Sequence, residues 1–197
     1  AGAGNDIIIV ADDAEFKVSG GVETVNGGLG TDTLSFTEGA DLTLTAPELS
    51  QLYSVEKIVL GSNTTSLTFG NETFTNLGNA SLQITTTSTN NVTTIDGSAV
   101  SNGSFLIVDD GSNNNSDKLV GGSGDDIFRF ATTTGLTSGD TVTGGAGTDT
   151  IQLNNTAAAT VDMDFNNVTG VEQATVYTSA ATGLTNGALD IQIAPHS

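Results

Sequence analysis

The chain has 197 residues, of which 36% are hydrophobic, and it contains no cysteine, no tryptophan and two prolines. It carries 23 acidic residues against 4 basic ones, a formal net charge of −19, which repels nucleic acid and anionic membrane and argues against both as partners. Without cysteine there is no disulfide, thiolate metal site or thiol nucleophile, and the lone His196, beside the C-terminus, supports no catalytic triad.

In chain order, the sequence opens on a glycine-rich turn, Ala1-Gly2-Ala3-Gly4-Asn5-Asp6, followed by an apolar strand, Ile7–Val10. Asp12-Asp13-Ala14-Glu15 is a polar excursion. A second turn, Gly27-Gly28-Leu29-Gly30-Thr31-Asp32, leads into a strand carrying Leu34 and Phe36. Residues 40–116 have no such turn. Short β-branched runs recur there at Leu42–Leu44, Ile58–Leu60, Leu67–Phe69, Leu82–Ile84 and Phe105–Val108, broken by Asn, Gly or Ser. Only Ala46–Tyr53 has helical character, for two turns at most. The third and fourth turns are Gly121-Gly122-Ser123-Gly124-Asp125-Asp126 and Gly144-Gly145-Ala146-Gly147-Thr148-Asp149, each running into a strand. The tail resumes short strands at Val161–Met163, Ala174–Val176 and Ile191–Ile193.

The two ends resemble each other. Asp6 and Asp32 are 26 residues apart, Asp126 and Asp149 are 23 apart, and each pair is followed by a Val-Glu step, Val55-Glu56 and Val171-Glu172. The sequence therefore divides into two related blocks, 1–116 and 117–197, each built of glycine-rich turns and short strands. In each complete motif an acid also precedes the motif acid by nine residues: Glu23 before Asp32, Asp117 before Asp126, Asp140 before Asp149. The apolar residue two places after each acid repeats with it. Such a half-turn puts acids at the edge and apolar side chains inside, alternately on two sides of a coil. The expected fold is all-β, a parallel β-roll or β-solenoid, with a Greek-key sandwich as its rival.

Alternating glycines expose backbone carbonyls on one side of a turn, and the acid adds a carboxylate. Oxygen-only, anionic and flexible is the ligand set calcium prefers, whereas zinc would want histidine or thiolate. One turn offers too few oxygens, so two must stack: Asp6 with Asp32 about one calcium, and Asp126 with Asp149 about another.

The repeated Gly-Gly-x-Gly-x-Asp-x-apolar-x pattern at Gly27–Ser35, Gly121–Arg129 and Gly144–Gln152, with Ala1–Ile9 differing only at its first residue, resembles the haemolysin-type calcium-binding nonapeptide of RTX proteins. The resemblance covers about a fifth of the chain. It implies calcium between stacked turns of a β-roll, held by the carboxylates of Asp6, Asp32, Asp126 and Asp149 and by carbonyls of turns containing Gly2, Gly4, Gly28, Gly30, Gly122, Gly124, Gly145 and Gly147. Glu23 stands where the family has Asp, and Asp117 and Asp140 lack the full glycine framework before them and would make partial sites. The Thr/Asn-rich strands around Val92–Val100 resemble segments of bacterial surface-layer and large adhesin proteins.

The expected function is a calcium-ordered structural module of a secreted bacterial cell-surface protein, of surface-layer type, whose partners are calcium and other copies of the parent in a lattice. The alternative is a calcium-dependent adhesin or carbohydrate-binding module that takes cell-surface polysaccharide. No His-Glu-x-x-His zinc site and no Gly-x-Ser-x-Gly elbow occurs, so no enzyme activity is expected. The chain opens inside a motif and lacks an initiator Met, which reads as a piece of a longer, processed protein.

Overall fold

A computed structural model of the chain describes residues 1–11, 23–37, 41–61, 64–78, 80–87, 92–109, 115–130, 135–154 and 165–177. The expected strands at Val161–Met163 and Ile191–Ile193, and the acids Asp12 and Asp13, lie outside them.

The described residues form a coil of eight stacked rungs. Rung one holds β1 (Ile7–Val10), and rung two holds β2 (Val25–Asn26) and β3 (Thr33–Phe36). Rung three runs through β4 (Leu42–Leu44), α1 (Ala46–Leu49), β5 (Leu52–Tyr53) and β6 (Lys57–Leu60). Rung four has β7 (Thr65–Gly70), α2 (Asn71–Leu77) and β8 (Ser81–Thr86), and rung five has β9 (Thr93–Ala99) and β10 (Ser104–Asp109). Rungs six, seven and eight pair β11 (Lys118–Val120) with β12 (Ile127–Phe130), β13 (Thr141–Thr143) with β14 (Thr150–Asn154), and β15 (Val168–Thr169) with β16 (Gln173–Tyr177). One strand per rung builds an eight-stranded sheet, β1-β3-β6-β8-β10-β12-β14-β16. A six-stranded sheet, β15-β13-β11-β9-β7-β4, faces it, and β2 pairs with β5. Every described strand pair is parallel. The all-β solenoid expected from the sequence is therefore the observed fold, and the Greek-key sandwich, which needs antiparallel pairs, is not.

Side-chain alternation makes the core. Ile8, Leu34, Ile58, Ile84, Ile107, Phe128, Ile151 and Ala174 stand one above another across the eight-stranded sheet. Leu44, Leu67, Ile95, Leu119, Val142 and Val168 do so across the opposite sheet. Each row is apolar because every second residue of a strand points the same way, and the interior members from Leu34 to Ile151 are buried.

The middle of the coil departs from the sequence reading. Asn71–Leu77, read there as a break between strands, is helix α2, started by Gly70 and stopped by Gly78 in the left-handed conformation (φ 70°). Thr and Asn are weak helix formers, and burial of Thr73, Phe74 and Leu77 supplies what propensity does not. The ring of Phe74 packs edge-on against Phe105 with centroids 5.1 Å apart, and Phe69 does so at 5.2 Å. Ala46–Tyr53 is helical only through Leu49, after which the chain turns into β5. The described residues include no helix long and apolar enough to cross a membrane.

Phe105→Ala removes the ring shared by these two contacts and should cost about 3–5 kcal/mol. Urea unfolding followed by circular dichroism measures it, and a loss below about 1 kcal/mol would show that the aromatic cluster does not hold the middle rungs.

Candidate functional site

The candidate acids head the inward row of the eight-stranded sheet. Strand register places Asp6, Asp32, Glu56, Leu82, Phe105, Asp126, Asp149 and Glu172 at one equivalent position in rungs one to eight. Acids hold it at both ends of the coil and apolar side chains in rungs four and five. Where the residue is apolar, at Leu82 and Phe105, it joins the strand, and β8 and β10 are longer for it.

The acids lace each rung to the one before. Oδ1 of Asp32 accepts the N–H of Asp6 at 2.8 Å, and Oε2 of Glu56 accepts the N–H of Asp32 at 2.7 Å. In the second block Oδ1 of Asp126 accepts from Phe105 at 2.6 Å, Oδ1 of Asp149 from Asp126 at 2.7 Å, and Oε2 of Glu172 from Asp149 at 2.8 Å. Side chains one residue earlier reach the opposite way: Oδ1 of Asn5 accepts the N–H of Thr31 at 2.9 Å, and Oδ1 of Asp125 that of Thr148 at 2.8 Å. A hydrogen bond to a charged acceptor contributes roughly 1.5–3 kcal/mol, so these bonds clamp the turns that the strands leave unpaired.

The stacking expected from the sequence is thus observed: Asp6 lies on Asp32, and Asp126 on Asp149. The turns stack with them. The N–H of Leu29 donates to the Gly2 carbonyl at 3.0 Å, that of Gly4 to Leu29 at 2.7 Å, and that of Ala146 to Gly122 at 3.0 Å. Gly4, Gly28, Gly30, Gly145 and Gly147 all have φ between 108° and 134°, which a side chain would oppose. Gly124 lies against the Gly103 carbonyl.

Glu56 and Glu172 complete the ladders, and the sequence reading noticed their Val-Glu steps without assigning them a role. The signal was positional: each Glu follows a motif Asp by one rung. Their turns are shorter. Asn26 to Asp32 takes six steps, but the equivalent Tyr53 to Glu56 takes three, and Thr143 to Asp149 against Thr169 to Glu172 repeats the contrast. The longer side chain of Glu spans what the shorter turn leaves. Each block is therefore Asp, Asp, Glu.

On the other edge, Oδ1 of Asp117 accepts the N–H of Thr93 at 2.7 Å, and Oδ1 of Asp140 accepts that of Asp117 at 2.9 Å. Oδ2 of Asp140 takes the N–H of Thr137 at 2.6 Å and its hydroxyl at 3.0 Å. Glu23 lies exposed two residues before β2.

The second carboxylate oxygens distinguish the sites. Asp32, Asp126 and Asp149 have no solvent-exposed surface. Oδ2 of Asp126 accepts the N–H of Gly122 at 2.7 Å, whereas Oδ2 of Asp32 and Oδ2 of Asp149 are buried and accept nothing. A Cβ placed on Gly27 would collide with Oδ2 of Asp32 and with the Ser54 carbonyl. A Cβ on Gly144 would collide with Oδ2 of Asp149 and with the Gly170 carbonyl. In each block, then, an orphaned carboxylate oxygen and a backbone carbonyl converge on the first glycine of the second turn. The Oδ2 atoms of Asp32 and Asp149 are thus buried without a donor, an arrangement that calls for a proton or a cation. Among the described residues no three acidic or histidine side chains gather at one point, so carbonyls would have to supply much of any cation's shell. An all-oxygen set of carboxylate and carbonyl suits a hard divalent ion.

No family model, no curated protein and no solved structure matches this chain. Its parallel β-solenoid is consistent with repeat proteins of the RTX and surface-layer type in general.

Burial is the main cause that pushes the Asp149 carboxyl up to about 6. The N–H of Asp126 offsets part of this, and the charges of Asp126, Glu172 and Asp125 add to it. Burial also raises Asp126, against the opposing N–H groups of Gly122 and Phe105. An unfolded Asp titrates near 3.9, so between about pH 4 and pH 6 the folded chain binds more protons than the unfolded one. Stability from this source is full below about pH 4 and is lost as pH rises through 6. Metal-stripped protein should therefore melt higher at pH 5 than at pH 7, with Asp149→Asn flattening the difference. Calorimetry at the two values checks this, and a fall in melting temperature on acidification would contradict it.

Proposed function

We propose that this chain is a calcium-stiffened structural module of a secreted cell-surface protein of surface-layer type. The observation that carries the reading is the pair of orphaned, buried carboxylate oxygens on Asp32 and Asp149, each of which, with a carbonyl of the next rung, crowds the first glycine of its turn. Calcium, when bound, supplies the positive charge that these acceptors lack. Asp32 with the Ser54 carbonyl would hold one ion and Asp149 with the Gly170 carbonyl the other, with Glu56 and Glu172 at the ladder ends and the carbonyls of the stacked glycine turns nearby. The carboxylates of Asp6 and Asp126 would support the same stacks from the preceding rung.

A net charge of −19 on 197 residues opposes a compact state until cations neutralise it. Binding that favours the folded state adds RT ln(1 + [Ca]/Kd), about 2.7 kcal/mol per site at a hundredfold excess over Kd. Extracellular calcium-binding modules have Kd values of roughly 10⁻⁴ to 10⁻³ M, which would tie folding to calcium levels outside the cell. In this proposal the chain catalyses no reaction, and other copies of the parent protein are its lattice partners.

Metal-stripped protein titrated with calcium should gain β signal and contract, with magnesium as control. Asp32→Asn and Asp149→Asn should each weaken one class of site at least tenfold in calorimetric titration, while Asp41→Asn, on an exposed residue, should change affinity less than twofold. Identical melting curves with calcium and with chelator would overturn the proposal.

A further inference from the structure

Strand register matches Asp6, Asp32 and Glu56 of the first block with Asp126, Asp149 and Glu172 of the second. The two ladders are the same in kind, each with an orphaned Oδ2 on its middle acid. The charges around them differ. Just before the first acid of each block stands a residue whose Oδ1 accepts an N–H of the next turn: Asn5 from Thr31 at 2.9 Å, and Asp125 from Thr148 at 2.8 Å. The bond is the same, but only Asp125 brings a negative charge. Just after the ladder glutamate the first block has Lys57 and the second has Gln173, at equivalent places on β6 and β16. The cations of the second block stand off from its ladder. Arg129 lies three residues beyond Asp126 with its Nε donating to Oε1 of Gln152 at 2.9 Å, and Lys118 pairs with Asp96 at 3.6 Å.

The carbonyls differ as well. Those that crowd Gly27 and Gly144 belong to Ser54 and Gly170, which hold the same place in matching turns, Tyr53-Ser54-Val55-Glu56 and Thr169-Gly170-Val171-Glu172. Both residues are left-handed, with φ of 49° and 60°. Glycine adopts this conformation without steric cost. Ser54 is strained in it, and among the described residues it is the sole residue other than glycine with a positive φ. The Gly170 carbonyl is therefore held in place freely, and the Ser54 carbonyl against an opposing backbone preference. The affinity of an oxygen site for a hard divalent ion is set by the charge of its ligands and by its rigidity, and both favour the second block. The charge of Asp125 is felt there: after burial, and together with Asp126 and Glu172, it raises the Asp149 carboxyl.

Resting on the cation reading above, we propose that the two sites are graded: the site at Asp149 and the Gly170 carbonyl takes a divalent cation first, and the site at Asp32 and the Ser54 carbonyl fills only at a higher concentration. Asp125 strengthens the one through its charge, and Lys57 weakens the other through its own. Gly170 and Ser54 set how rigidly each carbonyl is presented. Rungs six to eight are then ordered at low calcium, and rungs one to three are the part of the coil that responds as calcium rises.

The probe is calcium, titrated into the metal-stripped full chain while amide exchange is read residue by residue. The calcium midpoint for protecting the Asp126 and Asp149 amides should lie at least tenfold below that for Asp6 and Asp32. Asp125→Asn keeps an Oδ1 acceptor for Thr148, as Asn5 does for Thr31, and should raise the second-block midpoint at least threefold while leaving the first unchanged. The reciprocal variant Asn5→Asp/Ser54→Gly/Lys57→Gln gives the first block the second block's residues and should lower its midpoint at least tenfold. Midpoints within twofold of each other in the unsubstituted chain would overturn the grading while leaving calcium binding intact. So would a first-block midpoint that the triple variant leaves within twofold of its starting value. Amides that calcium protects at no concentration would overturn the cation reading itself, and the grading with it.

Discussion

A buried carboxylate that accepts the backbone N–H of the preceding rung is the interaction on which the coil depends. The strands stack by their own hydrogen bonds, but a glycine-rich turn has no regular ladder and little side chain to bury. Asp32, Asp126 and Asp149, with Glu56 and Glu172, replace that ladder with side-chain bonds of 2.6 to 2.8 Å. The glycines follow from the acids. At Gly27 and Gly144 the carboxylate and the next rung's carbonyl crowd the position a Cβ would fill, so a side chain there would push the acid off its donor.

This arrangement divides the coil by chemistry. Rungs one to three and six to eight are held at their edge by ionisable groups, while rungs four and five carry Leu82 and Phe105 at the same position and pack Phe69, Phe74 and Phe105 together. Apolar packing in the middle is indifferent to cations and to pH. The ends have carboxylate oxygens without donors, at Asp32 and Asp149, and their stability is open to whatever supplies positive charge. The Lys118–Asp96 ion pair, 3.6 Å long and largely solvent-facing at the lysine, contributes little beside this.

Much of this was legible in the sequence, because period and spacing carry it. Alternating apolar residues marked the strands around Leu34, Ile58, Ile84 and Ile107, and the nine-residue offset between Asp117 and Asp126, or Asp140 and Asp149, placed acids at the entries to two facing sheets. The stacking of Asp6 on Asp32 followed from the same spacing. Glu56 and Glu172 escaped assignment because their turns have lost three residues and the glycine signature with them. Helix α2 was hidden because its formation rests on burying Phe74 against Phe105, a contact 31 residues apart in sequence that no local pattern reports. The orphaned oxygens could not be read from sequence at all, since Asp6 and Asp126 share the motif of Asp32 and Asp149 yet accept an N–H from Gly2 and Gly122.

Residue-resolved amide exchange on metal-stripped and calcium-loaded protein tests the account most directly. The N–H groups of Asp6, Asp32, Asp126 and Asp149 should be protected only weakly without metal and at least tenfold more with calcium, while Ile84 and Ile107 in rungs four and five change little. Uniform change along the coil, or none, would contradict the claim that donorless carboxylates at the two ends make those ends the cation-dependent part of the fold.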